Sequence, residues 1–399
     1  MVSSQRELLI CDLTQSYAPK GGGVRTYVDR KLKAGAAMGH EVVVIAPGER
    51  TYVEERGPNA RIVWLKSTLF PLDFNYRYFT DVDTLYATLD IEKPDFVEAS
   101  SPWRSASIIA DWPGKAPRAL IMHADPLSAY AYRWLDPVAK RDTIDGLFDR
   151  YWRHLRKLDT AYDMIVSASP GLSARLAAGG LTHVVTNPMG VDPGIFTPTL
   201  RDERLRKGML ELCELPEDAT LLLGVGRFAP EKRWPMLVDA VTAAGHQKPV
   251  GLVLAGQGRD RKSIERRIGG NPHVRILAPI TNRVELARVM ASADALLHGC
   301  EAETFCMVAA EASASGLPLI APDEGGAADQ ARANGGFIYE SANAAACAET
   351  IVDYCGQREA GLAGPRADIP PPRTMDDHFR ELFASYERLV AAGRSQQAA

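Results

Sequence analysis

Short apolar runs alternate with amphipathic ones along nearly the whole chain, and this alternation predicts a parallel-sheet protein. The run ELLICD (7–12) reads as a strand, followed by a loop, a helix from about Val24 to Met38 and the strand EVVVIA (41–46). RIVWL (61–65), DFVEAS (95–100), RALIMH (118–123), DMIVSA (163–168) and HVVT (183–186) continue the strands, with a helix at 171–178. A second series opens with TLLLGVGRF (220–228) and runs through VGLVLAGQG (250–258), HVRIL (273–277), DALLH (294–298) and LPLIA (317–321). Helical patterns fall between these runs, one with apolar Trp234, Leu237, Val238 and Val241, another from Arg283. Strands that are apolar without interruption are buried on both faces, as a sheet with helices on each side requires. The segment NPMGVDPGIF (187–196), rich in Pro and Gly, separates the two series and marks a domain boundary. We therefore expect domains at 1–195 and 196–373, followed by an amphipathic helix in 374–399 that carries Phe379, Leu382, Phe383, Tyr386 and Leu389 on one face.

A chain of 399 residues is long for a single core, which agrees with two domains. The net charge of -4 argues against a general nucleic-acid binder, which should be basic. Six cysteines occur without a CxxC pair, so neither a zinc site nor a disulfide framework is suggested, and a reduced, cytoplasmic compartment fits. The start, MVSSQRELLICDL, is too polar for a signal peptide, and no run reaches the roughly 20 apolar residues of a membrane span. Membrane contact is expected to be peripheral at most. Two segments suit such a surface: the aromatic KSTLFPLDFNYRYF (66–79), and 130–157, whose basic tail holds Arg150, Arg153, Arg156 and Lys157. The simpler readings are a loop folded on the surface for the first and a solvated helix face for the second.

The densest chemistry lies in EAETFCMVAAEASASGLP (301–318). Its pattern predicts a helix over Thr304–Ser315, stopped by Gly316 and Pro318. Eight helical residues rise about 12 Å, so Glu303 and Glu311 could accept hydroxyls at both ends of a nucleotide sugar. The amides of Thr304, Phe305 and Cys306 would then form a first turn that favours an anion. An ordinary helix-start acid and a solvated helix residue fit the same pair. In the first series, Gly21, Gly22 and Gly23 permit close backbone approach to a ligand at a helix start, or merely a flexible turn. His123 ends a strand, where ligands bind in open α/β sheets, and its ordinary pKa suits proton exchange near neutrality. Arg227 and Lys232 follow a strand and offer a planar fork and a point charge to phosphate oxygens. Asp81-Val82-Asp83 spells a metal-binding DxD but opens a helical pattern, so it is read as helix-start acids and no metal is assigned.

These segments together resemble the large retaining glycosyltransferase family 4, also called glycosyl transferases group 1. Glu303-x7-Glu311 in HGCEAETFCMVAAEASASGLPLIA is similar to its E-x7-E signature, GRFAPEK (226–232) to its donor-diphosphate motif and NPMGVDPGIF to its linker. The resemblance implies a GT-B fold: two doubly wound, Rossmann-like domains facing across a cleft, with the last helix crossing back to the first. It implies an enzyme that moves a hexose, with retention, from a nucleotide diphosphate sugar to a lipid or envelope-glycan hydroxyl, and family frequency favours a UDP-sugar. Donor binding is implied for Gly22, Gly23, Arg227, Lys232, Glu303, Thr304, Phe305, Cys306 and Glu311, with His123, Glu303, Arg227 and Lys232 at the reacting centre and no cofactor. Two departures stand out: the family usually has Gly at Cys306 and commonly Ser at Cys300. A non-catalytic sugar-nucleotide-binding subunit, or another GT-B activity such as an epimerase, remains the alternative.

Overall fold

A computed structural model describes residues 7–18, 23–70, 76–123, 125, 127, 143 and 146–398. The chain divides into two compact units. One holds Met1–Pro126, Tyr130–Pro188 and Met375–Ala399; the other holds Met189–Thr374 with Leu127–Ala129. The chain passes from one to the other after Pro188, inside NPMGVDPGIF, rather than at the expected 195/196.

The first unit is built on an eight-stranded sheet. Its strands are β1 (Leu9–Thr14), β2 (Glu41–Gly48), β3 (Tyr52–Gly57), β4 (Ala60–Lys66), β7 (Phe96–Ser100), β8 (Arg118–Met122), β9 (Met164–Ser167) and β10 (Val184–Thr186), in the order β10-β9-β8-β7-β1-β2-β4-β3. A separate two-residue ladder joins β5 (Thr68–Leu69) to β6 (Arg77–Tyr78) within the aromatic segment. Every ladder of the large sheet is parallel except β3 with β4. Strand β3 was not legible as a strand: TYVEER has no buried face, and it forms only because β4 offers an edge after the turn at Asn59, where φ is +56°. The helix Gly23–Ala37 crosses from β1 to β2, and the helix Met375–Ala398 packs on this same unit. Tyr386 of that helix stacks on Phe96 at 3.9 Å, while Phe379 and Phe383 join the core.

The second unit carries six parallel strands: β11 (Thr220–Val225), β12 (Val250–Ala255), β13 (Val274–Leu277), β14 (Ala295–Leu297), β15 (Leu319–Pro322) and β16 (Phe337–Tyr339). Their order, β13-β12-β11-β14-β15-β16, reverses direction between β11 and β14, which lie side by side with Leu223 opposite Leu296. That reversal is a topological switch point, where the loops leaving two adjacent strands part and open a crevice. Leu221, Leu222, Leu223, Leu252, Val253, Leu254, Leu296 and Ile320 are almost wholly removed from solvent, with helices covering both faces. Both units are thus doubly wound, Rossmann-like domains. No described helix is long and apolar enough to cross a membrane.

Candidate active site

The loops leaving β11 and β14 meet at the switch point of the second unit. After β11 the chain makes a short 3-10 turn, Pro230–Lys232, and after β14 it runs through His298 to Cys306 before the helix Met307–Ala314. The two loops touch: a Cβ at Gly299 would lie 2.7 Å from the Lys232 carbonyl oxygen, so only glycine fits there.

This closeness brings Lys232 onto Glu303. The Lys232 ammonium bonds Glu303 Oε1, and His298 Nε2 lies 3.4 Å from Oε2. Lys232 is 8% exposed and His298 3%, while the Glu303 side chain keeps 26% of its surface, so water reaches the pair from the carboxylate side alone. Burial by itself raises the Glu303 carboxyl, but the Lys232 ammonium and, after it, the neighbouring His298 outweigh it and hold the group well below the usual carboxylate range. Burial lowers Lys232, and the Glu303 charge more than reverses that. The result is a fixed, ionised carboxylate beside a fixed ammonium. A second rung reinforces the first, with Arg233 binding Glu301 through both Nε and Nη2.

The expected helix Thr304–Ser315 is corrected here. It begins only at Met307, because Cys306 takes a left-handed conformation with φ +64°. Thr304, Phe305 and Cys306 therefore belong to a loop, their amides are not a helical first turn, and the two glutamates are not joined by eight helical residues. A left-handed residue with a Cβ is strained by roughly 1–2 kcal/mol, which glycine avoids, so the usual Gly of the resembling family has a direct physical reason. Here the loop is held from behind. Gln330 Nε2 donates to the Cys306 carbonyl at 2.9 Å, and Gly326 N–H donates to the Glu303 carbonyl at 2.7 Å. A Cβ at Gly326 would meet the Phe305 backbone at 2.5 Å, so the PDEGG turn supports the glutamate loop.

Glu311 lies on the helix and is buried, and its carboxylate meets Arg283 rather than solvent. Arg283, first residue of the helix Arg283–Ser292, donates through Nη2 to Glu311 Oε1 at 2.6 Å and Asp192 Oδ2 at 3.0 Å. Its guanidinium lies 4.8 Å from the Phe196 ring centroid. Arg227 stands apart from this cluster, its side chain 78% exposed and paired with Glu231. Sequence reasoning did not single out His298, Arg233, Glu301, Arg283 or Asp192. The available signals were the His that ends DALLH and the Arg that follows the helix cap Asn282.

In the first unit, Gly22 lies outside the described residues, and Gly23 opens the helix Gly23–Ala37. His123 follows β8 and lies edge-on to Tyr27 at 4.7 Å between ring centroids. Burial, then the positive charges of Lys31 and His378, lower its pKa to about 3. This corrects the expectation of proton exchange near neutrality: His123 is a neutral imidazole, fit to hold a hydrogen bond. Asp81 caps the helix Val82–Glu92 by accepting from Thr84 N–H at 2.9 Å, a structural task. On the helix Asp149–Asp159, Trp152, Leu155 and Leu158 face the core while Arg153 and Lys157 are exposed. Residues 71–75 and most of 128–145 lie outside the described residues.

Two Rossmann-like domains, with charged groups gathered at the switch point of one, define a GT-B nucleotide-sugar transferase. Sequence comparison agrees: residues 213–359 match the family described as "Glycosyl transferases group 1", and residues 21–194 match "Glycosyltransferase Family 4". The chain belongs to glycosyltransferase family 4 and is a sugar-transferring enzyme. A "GDP-mannose-dependent alpha-mannosyltransferase" of Mycolicibacterium smegmatis is 29% identical over 398 residues, covering 97% of this chain and 99% of the relative. A "GDP-mannose-dependent alpha-(1-6)-phosphatidylinositol dimannoside mannosyltransferase" of Mycobacterium tuberculosis is 29% identical, with 78% of each chain covered. Among solved structures, a sucrose-phosphate synthase of Thermosynechococcus elongatus superposes with a TM-score of 0.65 at 18% identity, covering 98% of each chain. A glycosyltransferase of Rickettsia africae gives 0.67 at 16% identity, covering 96% of this chain and 99% of the other.

Proposed function

We propose that this enzyme transfers mannose from GDP-mannose, with retention at the anomeric carbon, to a hydroxyl of a lipid or glycan acceptor. The family frequency that favours UDP-sugars gives way to the names of the relatives, one of which is GDP-mannose-dependent and matched along 97% of this chain. The observation that carries the reading is the buried Lys232–Glu303 pair at the β11/β14 switch point. A diphosphate entering there replaces the Glu303 carboxylate as partner of Lys232 and frees Glu303 for the sugar hydroxyls. The exposed Arg227 adds a second cation from the same loop. Together they neutralise the charge that grows on the departing diphosphate, a task that a metal performs in other transferases.

Glu311, held by Arg283, is read as the acceptor of the ribose hydroxyls, with the loop Thr304–Cys306 lining the sugar. Gly22, Gly23 and neutral His123 are assigned to the donor sugar and acceptor. No carboxylate is assigned as a covalent nucleophile, so the acceptor attacks from the face that the leaving group vacates. A phosphatidylinositol-mannoside activity in one relative supports a glycolipid acceptor, and hence a peripheral site of work at a membrane face.

The test is calorimetric titration of the full chain with GDP and UDP, followed by anomeric analysis of the product from GDP-mannose. The expected results are GDP binding that weakens in Arg227→Ala, whose exposed side chain leaves folding untouched, and an α-linked product. Binding of UDP alone would overturn the donor, a β-linked product the retention, and binding without turnover would move the sugar-nucleotide-binding subunit to the front.

A further inference from the structure

We propose that His298, Glu303 and Cys306 form a binding site for a divalent cation of the zinc class, whose occupancy withdraws Glu303 from the donor sugar and halts transfer. The inhibitory half rests on the reading of Glu303 given above; the binding half does not.

The donor set is an imidazole nitrogen, a thiol sulfur and a carboxylate oxygen, all within 4.8 Å of one another. His298 Nε2 lies 3.6 Å from Cys306 Sγ and 3.4 Å from Glu303 Oε2. Zinc bonds of about 2.3 Å to sulfur and about 2.0–2.2 Å to nitrogen and oxygen, at tetrahedral angles, set ligand–ligand edges of roughly 3.5 Å and 3.4 Å. The two separations therefore already match a zinc tetrahedron. Three protein donors is also the count of an open zinc site, whose fourth position takes water.

The carboxylate is divided in a way that suits a cation. Lys232 takes Oε1, whereas Oε2 is buried and receives no aligned hydrogen bond. The other two donors are held in place by their own backbones. His298 is anchored at the end of β14, where its carbonyl accepts from Tyr339 Oη at 2.6 Å and its N–H donates to the Ile320 carbonyl at 2.9 Å. Cys306 is locked at φ +64° with Gln330 on its carbonyl. Little rearrangement separates this arrangement from a chelate.

A mixed N/S/O set selects zinc-class cations over magnesium, which demands six oxygens. On binding, the Cys306 S–H bond breaks, a sulfur–metal bond forms and the proton leaves to water. The new thiolate and the Glu303 carboxylate offset the divalent charge, and Lys232 keeps its own. The cysteine that departs from the family's usual glycine thus supplies the sulfur, so this site is a property of this chain.

The experiment is calorimetry of the full chain with zinc chloride in a phosphine reductant, with cobalt(II) as a spectroscopic probe and magnesium as a control. The expected result is one zinc per chain, a sulfur-to-cobalt charge-transfer band and no magnesium binding. Zinc affinity should fall at least tenfold in Cys306→Gly and in His298→Ala, and stay unchanged in Cys300→Ser. Glycine is at ease at φ +64°, so Cys306→Gly folds. Failure to bind zinc, equal binding in Cys306→Gly, or loss in Cys300→Ser instead overturns the site. Zinc binding with the expected variant pattern but undiminished transfer overturns the inhibition alone. Metal binding is read without donor, so failure here is separate from failure of the mannosyl assignment.

Discussion

Replacing Lys232 by methionine tests the central pair most directly. Methionine keeps the length and apolar stem of the side chain but removes the charge that offsets Glu303. Lys232 is 8% exposed, whereas the Glu303 side chain is 26% exposed, so Glu303 can recover part of its lost solvation from water. Breaking a buried pair by removing one partner costs about 3–5 kcal/mol, and the partial exposure of Glu303 reduces this to about 2–3 kcal/mol. At about 2–4 °C per kcal/mol for a domain of this size, the second unit should melt roughly 4–12 °C lower. Lys232→Met/Glu303→Gln removes both charges and should regain most of the loss, for a coupling energy of about 2 kcal/mol. The assay is thermal and urea unfolding of the four proteins of the cycle, followed by fluorescence of Trp234, which lies on the adjoining helix. Simple additivity, or a single variant as stable as the parent, would refute the reading of Lys232 and Glu303 as a buried, mutually compensated pair.

Other outcomes follow from the same geometry. Arg283→Ala leaves the Glu311 carboxylate without its cation; because Arg283 is 39% exposed the stability loss should be only about 1–2 kcal/mol, with GDP binding roughly tenfold weaker by calorimetry. Unchanged GDP affinity would separate Arg283 from the nucleotide. Glu311→Ala should weaken GDP binding while Glu303→Ala chiefly lowers the rate of transfer, and equal, mild effects from both would undo their assignment. Burial raises Glu98 from 4.5 to about 7, with Lys31 opposing and Asp12 adding to the rise. Between those values the folded state holds a proton that the unfolded chain has released, so the contribution of Glu98 to stability is fully present below about 4.5 and is lost as pH rises through about 7, by on the order of 3 kcal/mol. Between about pH 4.5 and about pH 7 the parent should lose melting temperature relative to Glu98→Gln, and a constant difference across that window would refute the raised pKa. His123, with a pKa of about 3, should show no imidazole titration by NMR from about pH 5 to about pH 8; a midpoint in that range would refute its buried, neutral state.

The same Glu98 shows how the last helix is secured to the first unit. Lys31, with no exposed surface, bonds both Glu98 and Asp12, and Tyr386 donates its hydroxyl to Glu98. Ser100 completes the group by donating to Asp12 at 3.2 Å. Burial moves Glu98 towards its protonated form, and the Asp12 charge adds to this while Lys31 opposes it, so less net negative charge is buried in the cluster. The C-terminal helix is therefore docked by a polar latch as well as by the Phe96–Tyr386 stack.

Much of this protein was determined by sequence alone, because strand and helix identity depends on local periodicity. Unbroken apolar runs such as LLLGV and GLVLA could be stable only inside a parallel sheet, and their alternation with amphipathic helices fixed the α/β class. The helix cap at Asp81 and the spacing of Glu303 from Glu311 were visible in the same way. What tertiary structure decided is everything that depends on groups distant in sequence. Lys232 and Glu303 are 71 positions apart, and nothing local says that one ammonium neutralises that carboxylate. Arg283 reaches Glu311 and Asp192 only because the start of one helix, the face of another and the segment after Pro188 meet at one place. Strand β3 exists because β4 offers it an edge, not because its own pattern demands it. The start of the expected helix at Met307 rather than Thr304, and the low pKa of His123, have the same origin. Backbone conformation and ionisation answer to the dielectric and the neighbours that folding supplies, and a linear pattern carries neither.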